Sequence, residues 1–318
     1  MQEVTPFYPI HLDSLVSDST LEFNLYIKTN DEKCILFRER SLEFGEHHRR
    51  KLLENQVHTL YLLQSDQKSY GRYIEENIGN LMKDPAVPSE KKAAFIYSVS
   101  KGILQDAFEN PRSGDIVRRT EEVTVNTVDY ILKGKESVQN LIAIMSTDYY
   151  TFTHSMNVCV FTIALASNVG VKLQQELNDL ATGALLHDIG KSEVPKNLLN
   201  KEGPLSLEEM AVMKQHVVWG EKILGENPRM TPVKMLPVSL HHEKLNGKGY
   251  PRGLAKEQIH LHGRIAAIAD CFDAMTTNRS YQSAMDGFEA LQIMKTKLQA
   301  QYDQNVLHAF IPVLRKAS

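Results

Sequence analysis

Residues 180–191 have the sequence LATGALLHDIGK, in which an apolar run meets an ionisable pair. The spacing of the apolar residues predicts a buried helix over 173–187 that ends near Gly190. His187 and Asp188 close this helix, and burying such a pair is unfavourable unless another group compensates it. The sequence therefore predicts a charged or metallic partner at the end of the helix.

Helical apolar spacing continues on both sides of this stretch, over almost all of the chain beyond Asn110. Ser206 and Glu209 have the spacing of a capping box, which marks the start of a helix. The other predicted helices of this region are 116–132, 136–145, 148–166, 206–224, 233–242, 261–277 and 287–298. We therefore expect a mainly α fold, with a helical domain over 111–318.

The first part of the chain has a mixed pattern. Residues 21–28, 33–40 and 57–63 are predicted strands, and 44–54, 66–82 and 89–108 are predicted helices. Residues 110–115 (NPRSGD) combine proline, glycine and polar residues, as linkers do. The prediction is a small α+β domain over 1–110 that regulates the helical domain or mediates assembly.

Composition excludes several classes of protein. The 318 residues include 36 Lys+Arg and 39 Asp+Glu, so no basic excess favours binding to a nucleic-acid polymer. The longest apolar run, 158–166, is half the length of a membrane span, and no export signal is expected from the first residues. Three scattered cysteines, Cys34, Cys159 and Cys271, indicate reduced thiols. We expect a cytoplasmic protein without a membrane span.

Seven ionisable residues each end or interrupt an apolar helix of the predicted helical domain. Singly, each has an ordinary explanation, such as a hydrogen-bonded buried histidine or an aspartate paired with Arg264 or Arg279. Together they are hard to satisfy independently, and a shared metal centre satisfies all of them at once. The predicted ligands are His154, His187, Asp188, His216, His241, His242 and Asp270.

The types of these ligands limit the metal. Imidazole nitrogens and carboxylate oxygens without a thiolate suit iron, manganese, zinc or nickel. Seven ligands exceed the four of a tetrahedral site, so we expect two ions roughly 3.5–4 Å apart, bridged by a carboxylate. Such a pair provides hydroxide at neutral pH and polarises a phosphoryl oxygen.

Several motifs in order resemble the HD-GYP domain, a branch of the HD phosphohydrolase superfamily. They are HDIGK at 187–191, HHE at 241–243, GKGYP at 247–251, DCFDAM at 270–275 and RSY at 279–281. The resemblance covers roughly 116–318 and implies an HD-type helical bundle. It also implies a metal-dependent phosphodiesterase that hydrolyses cyclic di-GMP to pGpG, and often to GMP, in bacterial signalling.

The resemblance assigns roles to residues of this chain. One ion, iron or manganese, is expected on His154, His187, Asp188 and Asp270, and Asp188 bridges to a second ion that His216, His241 and His242 complete. Hydroxide between the ions would attack phosphorus. The expected catalytic residues are Asp188 and Lys191. The expected substrate contacts are Lys191, Tyr250 and Arg279. Alternatives stay open: a surface Lys191, a Tyr250 that only packs its loop, and an Arg279 paired with Asp273.

Departures from the family pattern affect metal number and substrate. Tyr150 stands where members with a third ion have glutamate, so two ions are expected. Further departures are Lys244, Asn246, Ser280 and Gln282. They leave two alternatives open. The substrate is cyclic GMP-AMP, or the chain is a signalling adaptor without useful hydrolysis. Such an adaptor would bind cyclic di-GMP or a partner such as a diguanylate cyclase. A homodimer through the 116–145 helices is also left open.

Overall fold

Helices dominate the structure, a computed structural model that describes residues 7–29, 31, 33–145, 151–277 and 284–314. The chain divides into two units, Met1–Val99 and Ser100–Ser318, and the division falls inside one helix, Ser89–Glu109. The predicted boundary after residue 110 lies at the end of that helix and stays a prediction. Among the described residues, no helix combines the length and apolar character that crossing a membrane requires.

The first unit contains a four-stranded antiparallel sheet in the order β1–β6–β3–β4 and a two-stranded pair, β2–β5. Leu60 and Leu62 on the central strand β6 are fully buried. The α+β character is confirmed, but β1, whose FYPIH sequence is interrupted by Pro9, and the two-residue strands β2 and β5 were not predicted. The strands are β1 (Phe7–His11), β2 (Ser19–Thr20), β3 (Leu25–Lys28), β4 (Cys34–Arg38), β5 (Glu43–Phe44) and β6 (Thr59–Leu63); the helices are α1 (Glu46–Glu54), α2 (Gln67–Lys83) and the first part of α3 (Ser89–Glu109).

The second unit is helical in all its regular elements, which confirms the predicted mainly α class. Three details of the prediction are wrong. The single helix expected over 206–224 is two helices separated at Gln215, and neither the short helix α8 (Lys196–Leu199) nor the last helix, α14 (Gln304–Leu314), was expected. The helices are α4 (Ile116–Leu132), α5 (Lys135–Met145), α6 (Thr151–Asn168), α7 (Gln174–Leu186), α8 (Lys196–Leu199), α9 (Leu207–Lys214), α10 (His216–Gly225), α11 (Pro232–Leu240), α12 (Leu261–Thr276), α13 (Gly287–Thr296) and α14 (Gln304–Leu314).

The core of this unit forms where α7 packs against α4, α6 and α11, while α12 packs against α6 and α11. Leu186 and Ile189, the neighbours of the His187–Asp188 pair, belong to a buried cluster that includes Ile223 and Val238. The apolar residues on either side of the ionisable pair therefore hold it at a fixed position in the bundle.

A 3₁₀ turn, Ile189–Glu193, follows α7 and lies directly against α10. A Cβ atom on Gly190 would be 1.9 Å from the carbonyl oxygen of His216 and 2.5 Å from the amide nitrogen of Gly220. Only glycine permits this approach. The contact brings the start of α10 next to the residues that follow α7.

Candidate metal centre

The seven predicted ligands lie together in the second unit. The ligand atoms of His154, His187 and Asp188 are within 4.8 Å of one another, as are those of His216, His241 and His242. Asp188 joins the two groups, because its Oδ1 atom is 3.3 Å from Nε2 of His216. Asp270 adjoins the first group, with Oδ1 3.1 Å from Nε2 of His154. The structure thus brings all seven side chains into one buried cluster.

Most of these ligands stand at helix ends. His187 is the C-cap of α7, and His241 is the C-cap of α11. The C-terminal end of a helix carries partial negative charge, which favours a cation nearby. His216 opens α10, while His154 and Asp270 lie within α6 and α12. The C-terminal ends of α7 and α11 and the two carboxylates place negative potential at the cluster, and the N-terminal end of α10 partly offsets it.

Three histidines are oriented by carbonyl oxygens of their own chain neighbourhood. The Nδ1 atom of each donates to a backbone carbonyl three or four residues earlier, so the Nε2 atom keeps its lone pair. This is the tautomer in which an imidazole can bind a metal through Nε2. The pairs, each 2.8 Å apart, are His187 with Ala184, His216 with Met213, and His241 with Pro237.

Several buried atoms of the cluster have no protein hydrogen as a partner. Nε2 of His216 and Nε2 of His241 are 3.3 Å apart, and with both Nδ1 atoms protonated no hydrogen lies between them. Within the described part of the chain, Nε2 of His187 and Oδ1 of Asp188 are buried without a hydrogen-bond partner. Opposed lone pairs and orphaned acceptors are unfavourable in a protein interior. The residues present therefore fit divalent cations.

The electrostatics of the second histidine group favour neutral imidazoles. Burial lowers the pKa of His216, and burial together with His242 and His187 lowers that of His241 well below its usual range. Burial also lowers the pKa of His242 to about 3, although Asp270 opposes the shift. Metal ligation requires the neutral form of histidine. These three side chains are in that form at neutral pH.

The aspartates are ionised. Burial raises the pKa of Asp188, but Lys191 and His187 outweigh burial and hold it well below the usual range. The same balance lowers the pKa of Asp270, where the hydrogen bond from His154 is the strongest opposing interaction. Burial lowers the pKa of His154, yet hydrogen bonds to Asp270 and Asp273 raise it to about 9. The cluster thus contains two carboxylates beside a His154 side chain that is in its histidinium form at neutral pH.

Asp273 organises the His154 side of the cluster. Its Oδ2 atom is 2.6 Å from Nδ1 of His154, and its Oδ1 atom accepts from Nδ2 of Asn157 at 2.6 Å and from Oγ1 of Thr277 at 2.9 Å. Asp273 is almost fully buried. Asn157 was not predicted from the sequence, because it lies one helical turn after His154 without any motif around it.

The predicted catalytic and substrate residues are placed as follows. The Nζ atom of Lys191 is 2.5 Å from Oδ2 of Asp188. The ring of Tyr250 stacks on the ring of His242, with centroids 4.6 Å apart and planes tilted by 32°. Arg279, like the departures at Tyr150, Ser280 and Gln282, lies outside the described residues.

The glycine-rich loop that carries Tyr250 is pressed against the end of α11. A Cβ atom on Gly249 would be 2.4 Å from the amide nitrogen of Lys244 and 2.6 Å from the carbonyl oxygen of His242. Glu243, buried, accepts from the amides of Arg252 at 2.7 Å and Leu254 at 2.9 Å. Glu243 therefore fixes the loop, a role that its place in the HHE motif did not reveal.

Comparison with known proteins adds relatives and a solved fold. Cyclic di-GMP phosphodiesterase PA4108 of Pseudomonas aeruginosa is 30% identical over 223 residues, which cover 70% of this chain and 52% of that protein. 3'3'-cGAMP-specific phosphodiesterase 2 of Vibrio cholerae is 37% identical over 157 residues, 49% of this chain and 30% of that protein. A cyclic di-GMP phosphodiesterase of Thermotoga maritima is 34% identical over 167 residues, 52% of this chain and 45% of that protein. The chain thus spans about half, or less, of the length of these relatives.

The fold has a solved counterpart in Bd1817, an HDG"Y"P protein from Bdellovibrio bacteriovorus. The two share a TM-score of 0.69 at 24% identity, covering 98% of this chain and 100% of that one. The HD domain family model matches residues 136–306, more than half of the chain and the whole of the ligand cluster. This chain belongs to the HD domain family.

Proposed function

We propose that this chain is a metal-dependent phosphodiesterase of the HD-GYP branch that hydrolyses cyclic di-GMP to pGpG. The observation that carries the proposal is the convergence of five histidines and two aspartates on one buried point, with unprotonated nitrogens directed at one another. The relatives named as cyclic di-GMP phosphodiesterases support the choice of substrate.

Two divalent ions, iron or manganese, are the proposed cofactors. His154, His187, Asp188 and Asp270 would hold one, and His216, His241 and His242 with Asp188 the other. When bound, such ions supply Lewis acidity toward a phosphoryl oxygen and toward the attacking water. The nitrogen and oxygen donors suit iron and manganese.

The residues around the proposed ions would prepare the substrate. Lys191 is only partly exposed and places its ammonium against Asp188, so a phosphoryl oxygen brought there would accept a charge-assisted hydrogen bond. Asp273 keeps Nε2 of His154 directed at the carboxylates. Tyr250 and Arg279 are proposed to contact the rest of the substrate.

A cyclic GMP-AMP substrate is the second candidate, because a relative named for 3'3'-cGAMP is 37% identical over 157 residues. Both substrates present the same phosphodiester ring to the cluster. The two substrates differ in one base.

The test is turnover by protein purified anaerobically, with its metal content measured by elemental analysis. We expect about two ions per chain and conversion of cyclic di-GMP to pGpG. Chromatography measures this product, and 3'3'-cGAMP is tested as a substrate in a parallel reaction. Asp188→Ala should reduce turnover to background, because it removes the carboxylate shared by both groups. Asp129→Asn, on the exposed face of α4, is the matched control and should behave as wild type. Wild-type rates in Asp188→Ala would refute the proposal, and two bound ions without product would indicate an adaptor.

A further inference from the structure

The separation of α9 from α10 at Gln215 leaves a lysine at the rim of the ligand cluster. Lys214 is the last residue of α9, and its Nζ atom is 5.2 Å from the centre of the Tyr250 ring. That ring stacks on His242 at 4.6 Å and lies 6.3 Å from the ring of His216. The ammonium of Lys214 is therefore one aromatic layer away from two predicted metal ligands.

This ammonium is not neutralised by an acid. Lys214 is exposed, and in the ranges that the structure describes no carboxylate oxygen lies within 4.0 Å of its nitrogen. Lys191, in contrast, is committed to Asp188 at 2.5 Å. The cation–π contact with Tyr250 places the Lys214 charge beside the ring without cancelling it. An uncompensated cation beside a phosphate-processing cluster is suited to a second anionic group of the substrate.

A cyclic dinucleotide carries two phosphodiesters, of which one is cleaved at a time. The phosphate that is not cleaved keeps its negative charge and must be desolvated in the same cleft. We propose that Lys214 binds this non-reacting phosphate and so selects substrates with two phosphates over those with one. The inference rests on the proposed function and adds to it a residue that recognises the substrate.

The first test compares two substrates in the metal-loaded full chain. For cyclic di-GMP, Lys214→Met should raise KM by about tenfold and leave kcat within about twofold, because one charge-assisted contact is lost in ground and transition states alike. For bis(p-nitrophenyl) phosphate, which has a single phosphodiester, kcat/KM should not change. Lys214→Arg should retain most of the affinity for cyclic di-GMP. Lys295→Met, at an exposed lysine of α13, is the control and should leave both substrates unaffected.

The second test reads binding without turnover. Calorimetry with a phosphorothioate analogue of cyclic di-GMP should give a Kd about tenfold weaker for Lys214→Met, and a shallower dependence of Kd on salt concentration. Equal losses for both substrates, or a fall in kcat at unchanged Kd, would mean that Lys214 only supports Tyr250 and would overturn the inference while the proposed function stands. A wild-type protein that neither cleaves nor binds cyclic di-GMP would overturn both.

Discussion

At the scale of single residues, carbonyls in the last turns of helices decide which nitrogen each histidine presents. A carbonyl there can accept a side-chain hydrogen bond in place of the usual amide or in addition to one. Ala184 lies in the last turn of α7, Met213 in that of α9 and Pro237 in that of α11, and each accepts from the Nδ1 atom of a following histidine. A histidine placed just after a helix is thereby set for ligation through Nε2.

Asp273 gives a prediction at the same scale. Its two oxygens accept from three donors, whereas asparagine has one acceptor oxygen and would point an NH₂ group at a donor. We expect Asp273→Asn to weaken Mn²⁺ binding by about 10–100-fold, as for other residues that orient metal-bound histidines. Titration against a chromophoric chelator measures this.

The corresponding control is Asn157→Ala, which removes one of the three donors but not the contact with His154. A smaller loss of Mn²⁺ affinity is expected for this variant than for Asp273→Asn. Equal affinity of Asp273→Asn and wild type would show that Asp273 does not orient His154.

At the scale of elements, the start of α10 lies against a part of the chain that is distant in sequence. The capping box of Ser206 and Glu209 was predicted because it depends on residues three apart, and it is present. No such local pattern marks the division at Gln215, where His216 begins α10 with its backbone against Gly190. The start of α9 could therefore be predicted from local sequence, but that of α10 could not.

Gly190→Ala tests this contact. The added methyl would meet backbone atoms at 1.9 and 2.5 Å, which cannot move aside as a flexible side chain can. We expect the free energy of unfolding to fall by about 1–3 kcal/mol in urea titrations. Turnover should fall as well, because His216 opens the displaced helix.

Gly225→Ala serves as the comparison, since nothing lies within 4 Å of the position of its Cβ atom. This variant should stay within about 1 kcal/mol of wild type, in the stabilising direction. Comparable destabilisation of the two variants would show that the close approach of Gly190 to α10 does not require glycine.

At the scale of the whole molecule, the class of fold and the set of converging residues could be predicted from the sequence, because apolar spacing and the ordered motifs extend over most of the second unit. Among the elements that the sequence did not predict, α14 and β1 each contain a proline. The apolar pattern of α14 contains Pro312, and that of β1 contains Pro9. Both elements were difficult to predict because proline is unfavourable in a helix interior and in a central strand. The edge position of β1 and the packing of α14 against α6 tolerate the prolines.

Metal removal gives the prediction at this scale, and it rests on the proposed cofactors. The ligands come from five helical regions of the second unit, so ions bound only by the folded chain stabilise it. An ion at 100 times its Kd contributes about 2.7 kcal/mol, so a chelator should lower the Tm by roughly 5–10 °C in calorimetry. Mn²⁺ should restore it, and Asp188→Ala should show a much smaller response. An unchanged Tm in wild type would contradict the prediction.

The spread of the ligands along the chain has a consequence for biosynthesis. The first lies at His154 and the last at Asp270, on helices that are far apart in sequence and adjacent in space. A nascent chain on the ribosome has no complete ligand set until Asp270 has emerged from the exit tunnel. A polypeptide that ends before Asp270 therefore cannot assemble the complete cluster.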